Sequence, residues 1–232
     1  MALYSTSGLL SFCKQQARRP ATDNEMSDPQ WYIYLSKGQR AWMNILGTIV
    51  PDANLSAPTL LTSADGNVTY TFGVDSDGNP ITPIGHVELY DGPRGILLRP
   101  GTFDDTGCDY VPQGNVVRFP GNVSRTFHNG LYARYVNAQP PDIAAGQEPT
   151  LQPVYARELI GYRALILYAE EAGGRDPSRW QAAEERAWFG NPQMGDFGIL
   201  GMLKGQYRDI GMQSISAPSN AWWRVRGWGV TG

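Results

Sequence analysis

Two acidic stretches are the first candidates for chemistry in this sequence. Asp104, Asp105 and Asp109 form a cluster whose carboxylate oxygens could bind a divalent cation. A second stretch, residues 75–79 (DSDGN), resembles the start of a calcium loop. It lacks the glycine and the glutamate that such a loop needs at its sixth and twelfth positions. Both stretches are more simply interpreted as polar loops, with a cation at the first cluster left open.

Catalytic side chains do not form a recognisable pattern. His86 and His128 are the two histidines, which leaves too few for most zinc sites or for a histidine-based triad. The glutamate pairs at 170–171 and 184–185 are predicted to lie on helix faces exposed to water, where adjacent residues do not converge on one point. The sequence contains no motif typical of a serine nucleophile, a metalloprotease, a phosphate-binding loop or a dinucleotide-binding site. We therefore expect a protein that is not an enzyme and that carries no cofactor and no metal.

The C-terminal stretch combines tryptophan with arginine. Its five prominent residues are Trp222, Trp223, Arg224, Arg226 and Trp228. Tryptophan and arginine are favoured anchors at protein interfaces, and an aromatic chain end is a liability when left in water. Two interpretations stay open: the stretch folds back onto its own domain as a final strand, or it docks into another chain as an extended segment.

Composition narrows the class of protein. The chain has 232 residues, is 41% hydrophobic and 18% charged, and carries a formal net charge of −3. This apolar content is ample for a core, and the charge excludes a general nucleic-acid binder that works through bulk positive charge. Neither a membrane span nor a signal peptide is recognisable, so we expect synthesis in a reducing cytoplasm. Cys13 and Cys108 are then expected to be buried free thiols.

Helices are predicted at both ends of the chain. Residues 5–50 have helical spacing, and the stretch Ser5 to Ser7 can cap a first helix. Ser27-Asp-Pro29 is a strong start for a second helix, because proline is tolerated in the first turn. Residues 153–207 return to helical spacing after Pro153.

Strands are predicted between these helical blocks. Residues 57–137 contain short apolar stretches bounded by glycine, proline, asparagine and aspartate. The chain is therefore predicted to have an α+β fold, in which an antiparallel β lobe is inserted into a helical bundle. The expected parts are a bundle from residues 1–56 and 151–207, a β lobe at 57–137, a proline-rich connector at 138–150 and an extended tail at 208–232.

Both helical blocks resemble the head-to-tail connector proteins of tailed bacteriophages, also described as adaptor or head-completion neck proteins. The resemblance rests on DPQWYIYLSKGQRAWMNIL at 28–46 and PVYARELIGYRALILYAEEAGGRDPSRWQAAEERAWFG at 153–190. It lies in the order of a tryptophan- and tyrosine-bearing helix, a long tyrosine- and leucine-rich helix and a short helix that begins at Asp-Pro. The β block at 57–137 is larger than the compact helical members carry.

The resemblance implies a structural protein of the virion neck, made in the host cytoplasm. Such adaptors form a ring beneath the portal protein, contact a tail or neck protein on the other side and extend the DNA channel. Genomic DNA would pass through without specific binding. The tail at 208–232 would dock into the portal or a neighbouring subunit, with Trp222, Trp223 and Trp228 as anchors. Arg224 and Arg226 would pair with acidic groups or carbonyls of the partner.

A β-lobed binding module of the virion is the alternative hypothesis. Such a module would recognise carbohydrate or attach to a tail or baseplate. Tyrosines of the β block could serve as stacking platforms for sugars. They are Tyr70, Tyr90, Tyr110, Tyr132 and Tyr135. Aromatic residues at alternating strand positions are also common in cores, so the sequence alone does not separate platform from core.

Overall fold

The chain divides into two compact units, a helical unit and a β unit. A computed structural model describes residues 4–17, 26–74, 78, 80–92, 95–101, 107–120, 125–171 and 176–206. The helical unit comprises residues 1–50 and 142–232, and the β unit comprises residues 51–141. Residues 51–56, predicted with the helices, therefore belong to the β unit, and residues 142–150 of the predicted connector belong to the helical unit. The predicted tail at 208–232 lies outside the described residues.

The described residues form six α-helices, of which α3 belongs to the β unit. They are α1 (Thr6–Gln16), α2 (Asp28–Ile49), α3 (Pro51–Asn54), α4 (Glu158–Glu171), α5 (Ser178–Phe189) and α6 (Gly198–Gln206). The predicted caps are confirmed: the Ser5 hydroxyl accepts the Gly8 N–H at 3.1 Å, and Ser27 and Gln30 form a capping box. Each cap satisfies backbone N–H groups that the first turn leaves unpaired.

Helices α2 and α4 pack against each other along an aromatic and aliphatic face. The fully buried side chains on the two helices include Trp31, Leu35, Trp42 and Leu46 of α2 and Leu159, Ile160, Ala164 and Leu165 of α4. Gly38 lies where the two backbones come closest, since a Cβ atom there would stand 2.8 Å from the Ile160 carbonyl oxygen. The contact therefore depends on the missing side chain at this position.

Substituting Gly38→Ala should destabilise the helical unit by about 1–3 kcal/mol, because the new methyl group forces two helix backbones apart. Gly205→Ala in α6 is the matched control, since nothing lies within 4 Å of its would-be Cβ. There the better helix propensity of alanine should leave stability unchanged or raise it by up to about 1 kcal/mol. Denaturant unfolding of both variants measures the difference. Equal stabilities would show that α2 and α4 do not approach this closely.

Residues after 141 are fastened to the helical unit by buried polar side chains. The Ile143 N–H donates to the Ser36 hydroxyl at 2.8 Å, and the Thr150 N–H donates to the Gln39 amide oxygen at 2.8 Å. Ser36 and Gln39 are themselves buried on α2. These bonds satisfy backbone groups that would otherwise be unpaired in the interior, which explains why this proline-rich stretch belongs to the helical unit.

The β unit contains two antiparallel four-stranded sheets. Their strands are β1 (Thr59–Leu60), β2 (Thr62–Ala64), β3 (Thr69–Thr71), β4 (Pro83–Asp91), β5 (Ile96–Leu98), β6 (Val111–Gln113), β7 (Val116–Arg118) and β8 (Leu131–Asn137). One sheet has the order β1-β8-β4-β5 and the other β2-β3-β7-β6. The α+β fold with an antiparallel β portion is thus confirmed, although the sequence did not indicate β2 and β6, which are three residues long.

Side chains from both sheets share one hydrophobic core. Tyr70 and Phe72 come from the β2-β3-β7-β6 side, and Leu89 and Tyr135 come from the other sheet. Leu61 lies between β1 and β2, so the chain passes from one sheet to the other at a buried residue. From Leu131 to Tyr135, β8 alternates between buried and partly accessible residues, which leaves Tyr132 accessible and buries Tyr135.

Candidate partner-docking surface

The residues that the sequence proposes for docking lie outside the described residues. They are Trp222, Trp223, Arg224, Arg226 and Trp228. The described chain ends with Gln206, the last residue of α6. Among the described residues, those from the end of α5 through α6 are therefore the nearest in sequence to this stretch.

Four large apolar side chains are exposed on this part of the helical unit. They are Phe189 (40% exposed), Met194 (75%), Phe197 (66%) and Met202 (49%). Scattered single hydrophobic residues are normal on protein surfaces, and four exposed within 14 residues of chain make this segment a candidate for interaction. We name these four side chains the Phe197 surface.

A tight turn holds the Phe197 surface in place. Helix α5 ends at Gly190, where φ is +74° and a Cβ atom would stand 2.3 Å from the Gly198 nitrogen. The Asp196 N–H donates to the Asn191 carbonyl at 3.1 Å, and the Asp196 carboxylate accepts the Gly198 N–H at 2.9 Å. The exposed ring of Phe197 therefore projects from a backbone that is hydrogen-bonded on both sides.

Helix α6 places one face inward and leaves the other in solvent. Ile199 and Leu203 are buried on the inner face, four residues apart, while Met202 faces outward. At the end of the helix, the Tyr155 hydroxyl donates to the Gln206 amide oxygen at 2.9 Å. Helix α6 is thus held at both ends, and its exposed face can bury apolar area against a partner.

A buried ion pair fixes helix α5 against two other helices. The Glu184 carboxylate accepts hydrogen bonds from Arg163 Nε at 2.9 Å and Arg163 Nη2 at 2.7 Å. It also accepts the Trp42 indole N–H at 2.8 Å. Because Trp42, Arg163 and Glu184 come from α2, α4 and α5, this network joins three helices. Because Glu184 is bonded to side chains of α2 and α4, the network positions α5 and with it the start of the Phe197 surface.

The location of Glu184 corrects the prediction that the glutamate pair at 184–185 faces water, because the Glu184 side chain is 1% exposed. The sequence did carry a signal, since Trp180, Glu184 and Trp188 follow one another at a spacing of four residues and share a helix face. Burial raises the pKa of Glu184 to about 7, although Arg163 and Trp42 act to lower it.

The predicted acidic cluster can be placed only in part. The Asp109 carboxylate accepts the backbone N–H of Arg99 at 2.9 Å and lies 4.0 Å from its Nε. Asp109 therefore closes a loop against an arginine. Asp104, Asp105 and most of the calcium-like stretch lie outside the described residues. Across the ranges that the structure describes, no three histidine, cysteine, aspartate or glutamate side chains are grouped to hold a metal ion.

The predicted stacking tyrosines separate into two groups. Tyr70, Tyr110 and Tyr135 are buried in the β core, whereas Tyr90 and Tyr132 remain partly accessible. The core interpretation is therefore correct for three of the five.

The two cysteines are buried, as expected. Cys13 and Cys108 are both free thiols. Burial raises the pKa of the Cys13 thiol well above its usual range. This thiol therefore stays protonated and behaves as a core residue.

The two histidines, His86 and His128, are both exposed. His128 is exposed in a turn, and His86 is exposed with its Nε2 atom 3.5 Å from the Glu88 carboxylate.

Among the helices that the structure describes, none is both long and apolar enough to cross a membrane. A comparison of the sequence with protein-family models and with curated proteins finds no match to either.

Proposed function

We propose that this protein is a structural component of the virion neck of a tailed bacteriophage. In this role it forms a ring beneath the portal, joins the capsid to the tail and extends the DNA channel. The observation that carries the proposal is the Phe197 surface, which precedes the tryptophan- and arginine-rich end of the chain in sequence. Both features are typical of protein docking, and neither is typical of catalysis.

The Phe197 surface and the C-terminal anchors can act together. Fifteen residues separate Gln206 from Trp222, a length that spans up to about 50 Å when extended. Docking of the anchors into a partner would hold the Phe197 surface close to the same assembly. The effective concentration of the surface then reaches the millimolar range, so even a weak apolar contact forms.

The remaining support comes from the chain as a whole. The two helical blocks resemble phage connectors, and a net charge of −3 fits a channel through which DNA passes without being held. The proposed partners are the portal protein, a tail or neck protein and further copies of this chain. The proposal requires no cofactor, metal or catalytic residue.

Negative-stain imaging of the full chain, co-expressed with the proteins encoded by neighbouring genes, tests this function. We expect rings of this chain seated on a second ring. A dispersed monomer in the presence of every neighbour would overturn the proposal. Purification of the chain alone serves as the control, because it shows whether the ring needs its partner.

The double variant Phe197→Ser/Met202→Ser should reduce retention of the partner ring by about tenfold or more, because interface anchors contribute about 1–2 kcal/mol each. Both side chains are exposed, so thermal melting should not change. Ile96→Ser is the matched control, since Ile96 is 77% exposed but lies on β5 of the β unit. Co-purification from co-expressing cells measures retention, and wild-type retention by the double variant would exclude the Phe197 surface from docking.

A further inference from the structure

The outer face of the β1-β8-β4-β5 sheet carries a group of side chains that the proposed neck function does not use. Leu89 and Ala133 face the core, so their strand neighbours point to the opposite side. The register places Tyr90 of β4 directly opposite Tyr132 of β8, and Glu88 opposite Arg134. Two tyrosines and an ion pair therefore lie in adjacent rows on one face.

The polar row is held in one arrangement by its own contacts. The Tyr90 hydroxyl donates to the Glu88 carboxylate, and Arg134 Nη1 lies 3.5 Å from the same oxygen. Arg134 Nε also donates to the Ser56 carbonyl at 3.3 Å. On the other carboxylate oxygen, His86 Nε2 lies 3.5 Å away. The row thus presents a carboxylate, a guanidinium and an imidazole at fixed positions.

The apolar row extends across all four strands. Leu60 of β1 stands opposite Tyr132, and Leu97 of β5 stands opposite Tyr90. Leu60 and Leu97 are 56% and 54% exposed. The Tyr132 ring leans over Gly130, with one ring carbon 3.4 Å from the place where a Cβ atom would stand. The Tyr132 side chain is itself partly accessible.

We propose that this face, defined by Tyr90, Tyr132, Glu88, Arg134 and His86, binds a neutral carbohydrate chain. The C–H faces of sugars stack on aromatic rings, and neighbouring strands lie about 4.8 Å apart, which is comparable to one sugar unit. Sugar hydroxyls both donate and accept hydrogen bonds, so they match a carboxylate beside a guanidinium.

The balance of charge favours a neutral ligand. The negative charge of Glu88 is offset by Arg134 on the facing strand, so the face offers no net attraction to a phosphate or to a strongly charged peptide. A neutral oligosaccharide can stack on the tyrosine rings and form hydrogen bonds with the polar row. It carries no charge that this face would have to balance. This inference does not depend on the neck function, which uses the helical unit and the C-terminal segment.

A glycan array probed with the full chain, followed by calorimetric titration with cellohexaose, maltohexaose and chitohexaose and with the strongest array binder, tests the site. We expect binding to at least one neutral glycan, weakened about tenfold by Tyr132→Ala. Tyr4→Ala is the matched control, because Tyr4 is exposed on the helical unit. Leu97→Ala, at a site more than half exposed, provides a second variant that should weaken binding without affecting folding.

Three results would overturn the carbohydrate proposal. The first is the absence of binding to any glycan on the array, and the second is glycan binding that Tyr132→Ala and Leu97→Ala leave unchanged. The third is loss of a protein partner in Tyr132→Ala while the array stays blank, which would assign the face to a protein. Ring formation in the imaging experiment can succeed or fail independently of all three results.

Discussion

Replacing Glu184 with alanine should destabilise the helical unit by about 3–5 kcal/mol at pH 7. The substitution removes the carboxylate that binds Arg163 and Trp42, so two hydrogen bonds of a guanidinium whose side chain is 14% exposed and one of a buried indole N–H are lost. Loss of one member of a buried pair costs more than the pair contributes, because the remaining charge stays desolvated without the carboxylate that balanced it. Such a loss is a large fraction of the stability of an ordinary domain.

Tryptophan fluorescence during urea unfolding measures this effect selectively. All seven tryptophans lie outside residues 51–141, so the signal does not come from the β unit. Glu185→Ala is the matched control, because it removes the same side chain from the next position of α5, and we expect a change within about 0.5 kcal/mol. If the two variants unfold at the same urea concentration, the Glu184 network does not hold α5 in place.

Stability of the helical unit should fall as the pH rises from about 4.5 to 7. In the folded state burial raises the pKa of Glu184 to about 7 from an ordinary value of 4.5. Between these values the folded state holds a proton that the unfolded chain has released, so the unfolded state binds fewer protons. The free energy of unfolding then decreases with pH, by at most about 1.4 kcal/mol per unit. The contribution is complete below pH 4.5 and is lost as the pH passes through 7.

The Glu184→Gln variant isolates this contribution from those of other carboxylates. Glutamine keeps the shape of the side chain and does not titrate, so the difference in stability between wild type and variant should slope downward across this pH range. Urea unfolding at half-unit pH intervals gives the difference directly. A flat or rising difference would mean that Arg163 dominates and keeps the pKa of Glu184 at or below its ordinary value.

Local signals predict the helices well because the residues that start and stop a helix act over a few positions. Ser5 and Ser27 lie where their chemistry predicts a cap. The burial of Glu184 is different, because it depends on an arginine 21 residues earlier and a tryptophan 142 residues earlier. The spacing of four that relates Trp180, Glu184 and Trp188 indicates their shared helix face, but it does not identify the partners of Glu184.

The β unit also has features that local sequence signals do not predict. The sequences of strands β2 (TSA) and β6 (VPQ) hide them, because β2 has no large apolar residue and β6 contains Pro112, a residue that argues against a strand. The division of the tyrosines follows from register: Tyr132 and Tyr135 are separated by an odd number of positions, so they must face opposite sides of β8. Which of these two tyrosines is buried depends on the second sheet, because that sheet covers only one side of β8.

The pairing of Ser56 with Tyr135 has a consequence for how the chain folds. The Ser56 N–H donates to the Tyr135 carbonyl at 2.8 Å, and the Ser56 hydroxyl accepts the Tyr135 N–H at 3.2 Å. During synthesis α1 and α2 are made long before α4, so the apolar face of α2 must wait for its partner. The β unit is continuous in sequence and can fold in the interval. Once folded, it brings residues 56 and 135 together and shortens the effective loop between α2 and α4, which lowers the entropic cost of completing the bundle.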